Sequence, residues 1–300
     1  MIEEYNKCIL CPRECNVNRN NNELGFCKMS STLKVARASL HMWEEPCISG
    51  ENGSGTVFFS GCNLRCVYCQ NYSISTCLDG KEISIDRLSD IFISLQEKNA
   101  NNINLVTPTH FVPSIVQAIK KAKERGLVIP IIYNTSGYEK VATLKELEGL
   151  VDVYLPDMKY FSSNLSYKYS KAKNYHDIAI DAIKEMLRQT GKVEFDQNNL
   201  IKKGVIVRHL LLPGYLEESK KIIKELYETF KDDIYISIMN QYTPLSKQLT
   251  KFPELNKTVS DDEYNELIDY ALVLGIKNAY IQEGATNLES FIPNFDYEGV

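Results

Sequence analysis

Three cysteines lie within the stretch Gly61-Cys62-Asn63-Leu64-Arg65-Cys66-Val67-Tyr68-Cys69-Gln70-Asn71, which follows the apolar run Thr56-Val57-Phe58-Phe59. Their spacing is C-x3-C-x2-C. Three thiolates on one short loop can hold three corners of a cubane iron–sulfur cluster, whereas a closed structural site needs a fourth ligand. The fourth iron would stay open to a small chelating molecule, so the loop is a predicted reaction centre. The alternatives are a zinc knuckle and cysteines without a common role.

This stretch resembles the cysteine loop of the radical S-adenosylmethionine (SAM) enzymes, and the wider chain is similar to the relatives of pyruvate formate-lyase activating enzyme. The resemblance implies a [4Fe–4S] cluster on Cys62, Cys66 and Cys69, with SAM bound through its amino and carboxylate groups to the open iron. It also implies that the reduced cluster cleaves SAM to methionine and a 5′-deoxyadenosyl radical, which abstracts a hydrogen atom. Tyr68 would lie near the adenine.

The composition is that of an ordinary soluble globular protein. Its 300 residues, 44% of them hydrophobic, suit one large α/β domain or two smaller ones. A net charge of −5 argues against a nucleic-acid-binding surface. No apolar run reaches the roughly 18 residues of a membrane span, and the acidic start has no signal-peptide core. We therefore expect a cytoplasmic protein that binds neither nucleic acid nor membrane.

A second group of cysteines lies near the N-terminus and comprises Cys8, Cys11, Cys15 and Cys27. Four cysteines at these spacings fit one closed site, either zinc or a second iron–sulfur cluster, and thiolates serve both metals. Reduced, unligated thiols are the alternative. The odd total of nine cysteines and their short spacings argue against a disulfide framework.

The chain divides into a predicted cysteine-rich, metal-binding extension, residues 1–50, and a predicted catalytic core, residues 51–300. In the core, short apolar runs alternate with amphipathic stretches, which indicates βα units and a parallel sheet. The predicted strands are 56–61, 103–107, 128–133, 151–156, 204–212 and 234–239, and the predicted helices are 86–98, 113–125, 139–149, 175–189, 216–231 and 261–274. The predicted fold is thus α/β, a partial (β/α)6 TIM-type barrel with a small N-terminal cysteine-rich extension.

Strand-like alternation also occurs at Lys34-Val35-Ala36-Arg37-Ala38, within the extension. The residues that follow include four that could line a site: His41, Glu44, Glu45 and Cys47. A lone histidine and an isolated cysteine are more often structural.

Ligands of such barrels bind at the carboxyl ends of the strands, so polar residues there are candidates for SAM contacts. The second strand ends at Thr107-Pro108-Thr109-His110. Radical SAM enzymes commonly have a Gly-Gly-Glu element here that receives the methionine amino group, and this chain lacks it. The hydroxyl of Thr107 or Thr109 could accept from that ammonium group. A capping role at the helix that begins near Pro113 is the alternative.

The third and fourth strands end in further polar residues. Asn134 and Ser136 offer donors and acceptors for a ribose, in the place where activating enzymes have a short polar turn. An ordinary turn is the alternative. Asp157 and Lys159 resemble the Asp-x-Lys element of activating enzymes and could position SAM or a monovalent cation.

The fifth and sixth strands supply the last candidates. Arg208, followed by Pro213-Gly214, resembles an Arg-x4-Pro-Gly element of the same enzymes. Its planar guanidinium can bind the SAM carboxylate through two parallel hydrogen bonds, and a buried structural ion pair is the alternative. Gln241 is a candidate contact to SAM or substrate.

The resemblance to activating enzymes implies a reductant such as flavodoxin or ferredoxin, and a glycyl radical enzyme as the target. A peptide or small-molecule target is the alternative. In activating enzymes with extra clusters the added cysteines follow the C-x3-C-x2-C loop, whereas here they precede it. A zinc-stabilised interaction module without catalysis is a third hypothesis.

Overall fold

The computed structural model describes residues 2–245, 247–282 and 293–300. Its strands are β1 (Leu33–His41), β2 (Ser54–Phe59), β3 (Lys81–Ile83), β4 (Ile103–Val106), β5 (Ile131–Thr135), β6 (Val153–Pro156), β7 (Glu194–Phe195), β8 (Ile201–Leu210), β9 (Tyr235–Met239) and β10 (Ala279–Ile281). Its helices are α1 (Pro46–Ser49), α2 (Tyr72–Ser75), α3 (Ile85–Glu97), α4 (Val112–Glu124), α5 (Val141–Lys145), α6 (Ser163–Ser170), α7 (Tyr175–Thr190), α8 (Leu216–Phe230) and α9 (Asp261–Val273).

These strands form one sheet in the order β10-β9-β8-β6-β5-β4-β2-β1-β3, with β7 paired to β8. Neighbouring strands are parallel along the series β2, β4, β5, β6, β8, β9 and β10. The pairs β1–β2, β1–β3 and β7–β8 are antiparallel. Within the described part of the chain the sheet is not closed, since β10 and β3 form its two edges. The predicted partial TIM-type barrel is therefore confirmed, and all six predicted parallel strands are present.

The parallel strands form because they are short and apolar and are covered on both sides. Every residue of β2, β4, β5 and β6 is buried, as expected for a parallel sheet. Helices α3, α4, α7 and α8 are amphipathic and bury one face each against it. Ser84 begins α3 by accepting the Arg87 amide at 3.0 Å, and Ser260 and Glu263 form a capping box at α9.

The structure differs from the predicted elements in several places. Residues 33–41, which the sequence places in the extension, form β1, and its pairs run from Val35 with Phe59 to His41 with Ser54. The predicted extension thus contributes a strand to the main sheet. Helix α5 is shorter than the predicted 139–149, and α6, β3, β7 and β10 were not predicted. Three of the missed elements, β3, β7 and β10, are too short for a periodic signal.

Residues 2–32 contain only two short 3-10 turns, Glu3–Tyr5 and Arg19–Asn21, and no α-helix or β-strand. Side-chain hydrogen bonds anchor this segment to the barrel. The Tyr5 hydroxyl lies 2.9 Å from Ser114 Oγ of α4, and Thr143 Oγ1 of α5 donates to the Leu10 carbonyl at 2.7 Å. In the part of the chain that the structure describes, no helix is both long enough and apolar enough to cross a membrane.

Candidate functional site

A cavity of about 230 Å³ lies beside the three-cysteine loop. It joins this loop to the ends of β5, β6 and β8 and to the residues that follow β1 and β9. Ten of the predicted site residues line it: Cys62, Cys66, Cys69, Tyr68, Asn134, Ser136, Asp157, Lys159, Arg208 and Gln241. The fold therefore brings together side chains from five separate parts of the sequence.

Backbone constraints fix the start of the cysteine loop. Gly61 has a φ of +83°, and an added Cβ would lie 2.5 Å from Met29 Cγ and 2.9 Å from the Cys27 carbonyl oxygen. Glycine is the residue that tolerates this conformation and this close approach. The loop is therefore pressed directly onto the N-terminal segment.

Each loop sulfur faces a hydrogen-bond donor. The amides of Leu64 and Arg65 donate to Cys62 Sγ at 3.3 and 3.4 Å. Ser170 Oγ donates to Cys66 Sγ at 3.0 Å, and Ser75 Oγ donates to Cys69 Sγ at 3.3 Å. Such donors stabilise thiolates and tune a cluster that the thiolates bind.

Burial raises the pKa of Cys62 to about 12 and also raises the pKa of Cys69. Without a metal these thiols would keep their protons at neutral pH, whereas binding of a metal releases the protons. Among the described residues no three His, Cys, Asp or Glu side chains are grouped as ligands of a single metal ion. A [4Fe–4S] cluster binds each thiolate at a different iron, so its ligands need not converge on one point. The three donor-supported sulfurs beside the cavity fit such a cluster.

A network of charged side chains lies opposite the cysteines. Asp157 binds two cations, Arg208 Nε at 3.0 Å and Lys159 Nζ at 2.6 Å. Arg208 also donates to Glu44 Oε2 at 3.2 Å and to Asn134 Oδ1 at 2.5 Å. Burial opposes ionisation of Asp157, but Lys159 and Arg208 outweigh it and lower the pKa of Asp157. Asp157 is therefore ionised, and it holds both cations at the cavity wall.

The strand ends that carry this network are tied together by Tyr175 of α7. Its hydroxyl lies 2.8 Å from the carbonyls of Ser136 and Asp157 and accepts the Lys159 amide at 2.9 Å. Gly137 completes the junction, because a Cβ there would lie 2.3 Å from the Asp157 carbonyl. The ends of β5 and β6 are thus fixed relative to each other.

Ser136 Oγ is buried and has no hydrogen-bond partner within the described residues. It belongs to the cavity lining. A buried hydroxyl without a partner is costly, and a ligand group that binds it would remove this cost. This polar atom therefore supports a ligand site with donors or acceptors near Ser136.

The aromatic ring of Tyr68 is enclosed by Tyr160, Tyr169 and Tyr242, with ring centroids 6.1 to 6.4 Å away. Only 7% of Tyr68 is exposed. This cluster holds the loop residue before Cys69 rigidly at the cavity.

Thr109 lies away from the cavity lining. Its hydroxyl donates to Glu139 Oε1 at 2.5 Å in a buried group that also contains Thr135. Thr107, two residues earlier, lines the cavity instead. Helix α4 has no side-chain cap at its start, so Thr109 does not have the alternative capping role either. The hydrogen bond to Glu139 fixes the position of Thr109. A local sequence motif cannot indicate a contact with a residue 30 positions away.

The sequence named Glu44 only as a residue that could line a site, and it did not single out Trp43 or Asn104. Glu44 and Trp43 line the cavity because β1 runs antiparallel to β2 and carries them past its end. Asn104 Nδ2 donates to Glu44 Oε1 at 3.0 Å. A signal existed for Asn104, since a polar residue in a fully buried strand needs a polar partner. Cys47, by contrast, packs in a core cluster with Ile132 and Leu155.

The N-terminal cysteines lie behind the loop. Cys8 and Cys27 are buried, and Cys11 and Cys15 are half-buried. The Phe26 amide donates to Cys15 Sγ at 3.2 Å. Burial, together with the neighbouring Cys27 and Cys8, raises the pKa of Cys11 to about 12.

Comparison with known proteins places this site in a known context. The model of the radical SAM superfamily matches residues 56–226. An uncharacterized protein of Methanocaldococcus jannaschii is 29% identical over 278 residues, which cover 89% of this chain and 75% of that protein. The pyruvate formate-lyase-activating enzyme of Clostridium pasteurianum is 24% identical over 196 residues, covering 62% of this chain and 72% of the enzyme.

Two solved structures resemble the fold. A radical SAM methyltransferase from Sphaerobacter thermophilus has a TM-score of 0.53 at 14% identity, covering 76% of this chain and 66% of its own. SuiB of Streptococcus suis, bound to its precursor peptide SuiA, has a TM-score of 0.51 at 14% identity, covering 74% of this chain and 46% of its own. This chain thus spans about half of SuiB. At these identities the likeness concerns the fold.

Proposed function

The chain belongs to the radical SAM superfamily, and from this premise we propose that Cys62, Cys66 and Cys69 hold the [4Fe–4S] cluster and that the adjoining cavity binds SAM. A [4Fe–4S] cluster and SAM are the cofactors of this family. When bound, they supply the one-electron cleavage of SAM whose organic radical abstracts a hydrogen atom from a substrate. One observation carries the proposal: a single cavity joins the three cysteines to the polar ends of β5, β6 and β8.

Asp157, Lys159 and Arg208 would orient the amino-acid part of SAM. Lys159 uses one N–H bond on Asp157 and keeps further donors, which can bind the SAM carboxylate. Arg208 is held by Asp157 and Glu44, so its position is set before the ligand arrives. Such preorganised charges act strongly in a site shielded from water.

Asn134 and Ser136 would contact the ribose of SAM. The Ser136 hydroxyl is buried without a partner, and a ribose hydroxyl can supply one. The tyrosine cluster around Tyr68 would form the cavity wall near the cysteines. Gln70 would complete this wall, since its side chain donates to the Gln241 carbonyl at 2.6 Å. These residues position the ligand and exclude water, while the cofactors carry the chemistry.

The proposed target is a glycyl radical enzyme, with a one-electron donor protein such as flavodoxin or ferredoxin as reductant. Similarity to the activating enzyme of Clostridium pasteurianum over 62% of this chain supports this choice. Two departures from activating enzymes favour a peptide or small-molecule target as the second candidate. These are the missing Gly-Gly-Glu element after β4 and the position of the extra cysteines before the loop.

The test is an anaerobic assay of SAM cleavage with the reconstituted full-length protein and a chemical reductant. We expect 5′-deoxyadenosine from the wild type and none from Cys62→Ala, Cys66→Ala or Cys69→Ala. The matched control is Cys77→Ala, because Cys77 is exposed and does not line the cavity. Unchanged cleavage in any of the three loop variants would overturn the cluster assignment.

The target is tested separately by electron paramagnetic resonance. A glycyl radical signal that forms on a glycyl radical enzyme after incubation with this protein, SAM and reductant would support the activating role. If SAM is cleaved but no such protein acquires a radical signal, the second candidate replaces the first.

A further inference from the structure

Arg19 is fully buried in the N-terminal segment, with 0% of the residue exposed. Its guanidinium donates to the carbonyls of Met29 and Ser30 at 3.1 and 2.6 Å and also to the His110 carbonyl. All of these acceptors are neutral. Among the described residues no carboxylate lies within ion-pair distance of Arg19, as the described salt bridges do not include it.

An arginine side chain stays protonated in proteins. A buried charge that meets only neutral groups is costly, so an anion beside Arg19 would stabilise it. Tyr5 stacks under the guanidinium at 4.4 Å, but burial raises the pKa of Tyr5 to about 12 and keeps it neutral. Cys8 is also in contact with the guanidinium, and its Sγ accepts from Arg19 Nη1 at 3.8 Å.

Cys8 belongs to a group of four cysteines that two chain segments bring together. The segment that carries Cys27 is pressed onto Cys15, since a Cβ on Gly25 would lie 2.8 Å from Cys15 Sγ. The Cys8 amide donates to the Val17 carbonyl and the Asn16 amide donates to the Cys8 carbonyl, both at 3.0 Å, and these bonds close the loop that carries Cys8, Cys11 and Cys15. Four thiolates around an iron–sulfur core leave a net negative charge. A cluster of this kind is an anion that Arg19 could balance.

Arg13 supplies a second cation between this group and the reaction loop. It donates to the carbonyls of Asn63 and Ser170 at 2.9 and 2.8 Å, and its guanidinium lies 3.8 Å from the centroid of the Phe26 ring. Arg13 lies between Cys11 and Cys15 in the sequence, and the Asn63 carbonyl that it binds belongs to the residue after Cys62. The described ion pairs contain no partner for Arg13 either.

We propose that Cys8, Cys11, Cys15 and Cys27 bind one iron–sulfur cluster, each thiolate on a different iron, and that Arg19 and Arg13 balance its charge. A single zinc ion does not fit, because no three described side chains are grouped as ligands of one metal ion. The site lies outside residues 56–226, which the superfamily matches. It contacts the reaction loop through Arg13 and through the approach of the Cys27 carbonyl to Gly61. The cluster would therefore stabilise the position of the reaction loop from the side that faces away from the cavity.

The first test counts iron, sulfide and zinc in the anaerobically purified full-length protein. We expect the wild type to hold about four further irons with sulfide besides the loop cluster. Cys11→Ser and Cys15→Ser should lose only this additional metal. The matched controls are Cys77→Ser, which should keep both metals, and Cys62→Ser, which should lose only the loop cluster.

One zinc per chain in place of the further irons would contradict the iron–sulfur assignment. Equal metal content in Cys11→Ser, Cys15→Ser and Cys77→Ser would overturn the proposal. That result would leave the SAM-cleavage assay unaffected, whereas failure of the loop assignment would leave the additional metal in place. The two proposals can thus fail independently.

The second test concerns the role of Arg19 and follows metal release to a chelator by absorbance. Arg19→Met should release the additional metal roughly tenfold faster, in line with the loss seen when groups around a metal site are removed. Arg125→Met is the control, since Arg125 is half-exposed and pairs with Asp90 on the surface. Equal release from Arg19→Met and Arg125→Met would contradict the charge argument.

Discussion

The two cysteine groups offer the same thiol side chains in different surroundings. The loop of Cys62, Cys66 and Cys69 follows a buried strand and adjoins a cavity lined by charged and polar residues. The group of Cys8, Cys11, Cys15 and Cys27 lies in a segment without regular strands or helices and is flanked by Arg19 and Arg13. Open space and preorganised charges support the proposed reaction centre, whereas enclosing arginines support the proposed closed cluster. The surroundings, more than the cysteines, separate the two roles.

The largest expected effect comes from substituting one cysteine in each group and comparing the two variants. Cys66→Ala should abolish SAM cleavage, because an open cluster cannot form on two thiolates. Cys15→Ala should leave the loop cluster and a measurable rate of 5′-deoxyadenosine formation, because the loop sulfurs keep their own donors. Iron content and product are measured side by side. Complete loss of loop iron in Cys15→Ala would remove the distinction between the two groups.

A second large effect concerns the charge network of the cavity, for which the N-terminal group has no counterpart. Asp157→Asn removes the anion that holds Lys159 and Arg208. Breaking a buried pair by removing one partner costs about 3 kcal/mol or more, so we expect a lower free energy of unfolding in urea and weaker SAM binding.

The control for Asp157→Asn is Asp86→Asn, because Asp86 forms an exposed surface pair with Lys121. Surface pairs contribute about 1 kcal/mol or less. A similar loss of stability in both variants would contradict the assigned role of the cavity network.

Glu139 lies between the two regions. On the barrel side it accepts a hydrogen bond from Thr109. On the other side it adds to the effect of burial in raising the pKa of Cys11. Burial raises the pKa of Glu139 to about 7, against the hydrogen bonds from Thr109 and Thr135. A carboxyl whose pKa is raised on folding contributes its stability below the unfolded pKa, and this contribution is lost as the pH rises towards 7.

Glu139→Gln should therefore flatten the fall in stability between about pH 4.5 and pH 7, a fall on the order of 3 kcal/mol. Urea unfolding at several pH values measures this difference against the wild type. A parallel loss of stability in both proteins over this range would show that Glu139 is ionised when folded.

The smallest expected effect separates two hydroxyls near the strand ends. Ser136→Ala should weaken SAM binding by about tenfold or less, since one hydrogen bond contributes about 1 kcal/mol. Thr109→Val should leave SAM binding unchanged and lower stability by about 1 kcal/mol, because it removes one hydrogen bond to the buried Glu139 and leaves the one from Thr135. Equilibrium binding and urea unfolding distinguish the two, and a reversed pattern would place the ligand near Thr109.

The sequence sufficed for the features that have a local pattern. The parallel strands are near-continuous apolar runs followed by polar residues, so both their positions and the line of candidates from Asn134 to Arg208 could be predicted. Long-range pairing has no such pattern. The antiparallel pairing of β1 with β2, which brings Glu44 to the cavity, and the bond of Thr109 to Glu139 both depend on contacts between distant segments. The unpaired charge of Arg19 likewise became visible only once its burial was known.

The most direct test of the SAM site is electron paramagnetic resonance of the reduced full-length protein with and without SAM. If SAM binds the open iron of a cluster on Cys62, Cys66 and Cys69, its addition changes the signal of that cluster. The same change is predicted in Cys15→Ser, which carries the loop cluster alone. A reduced loop cluster whose signal is identical with and without saturating SAM would contradict the account.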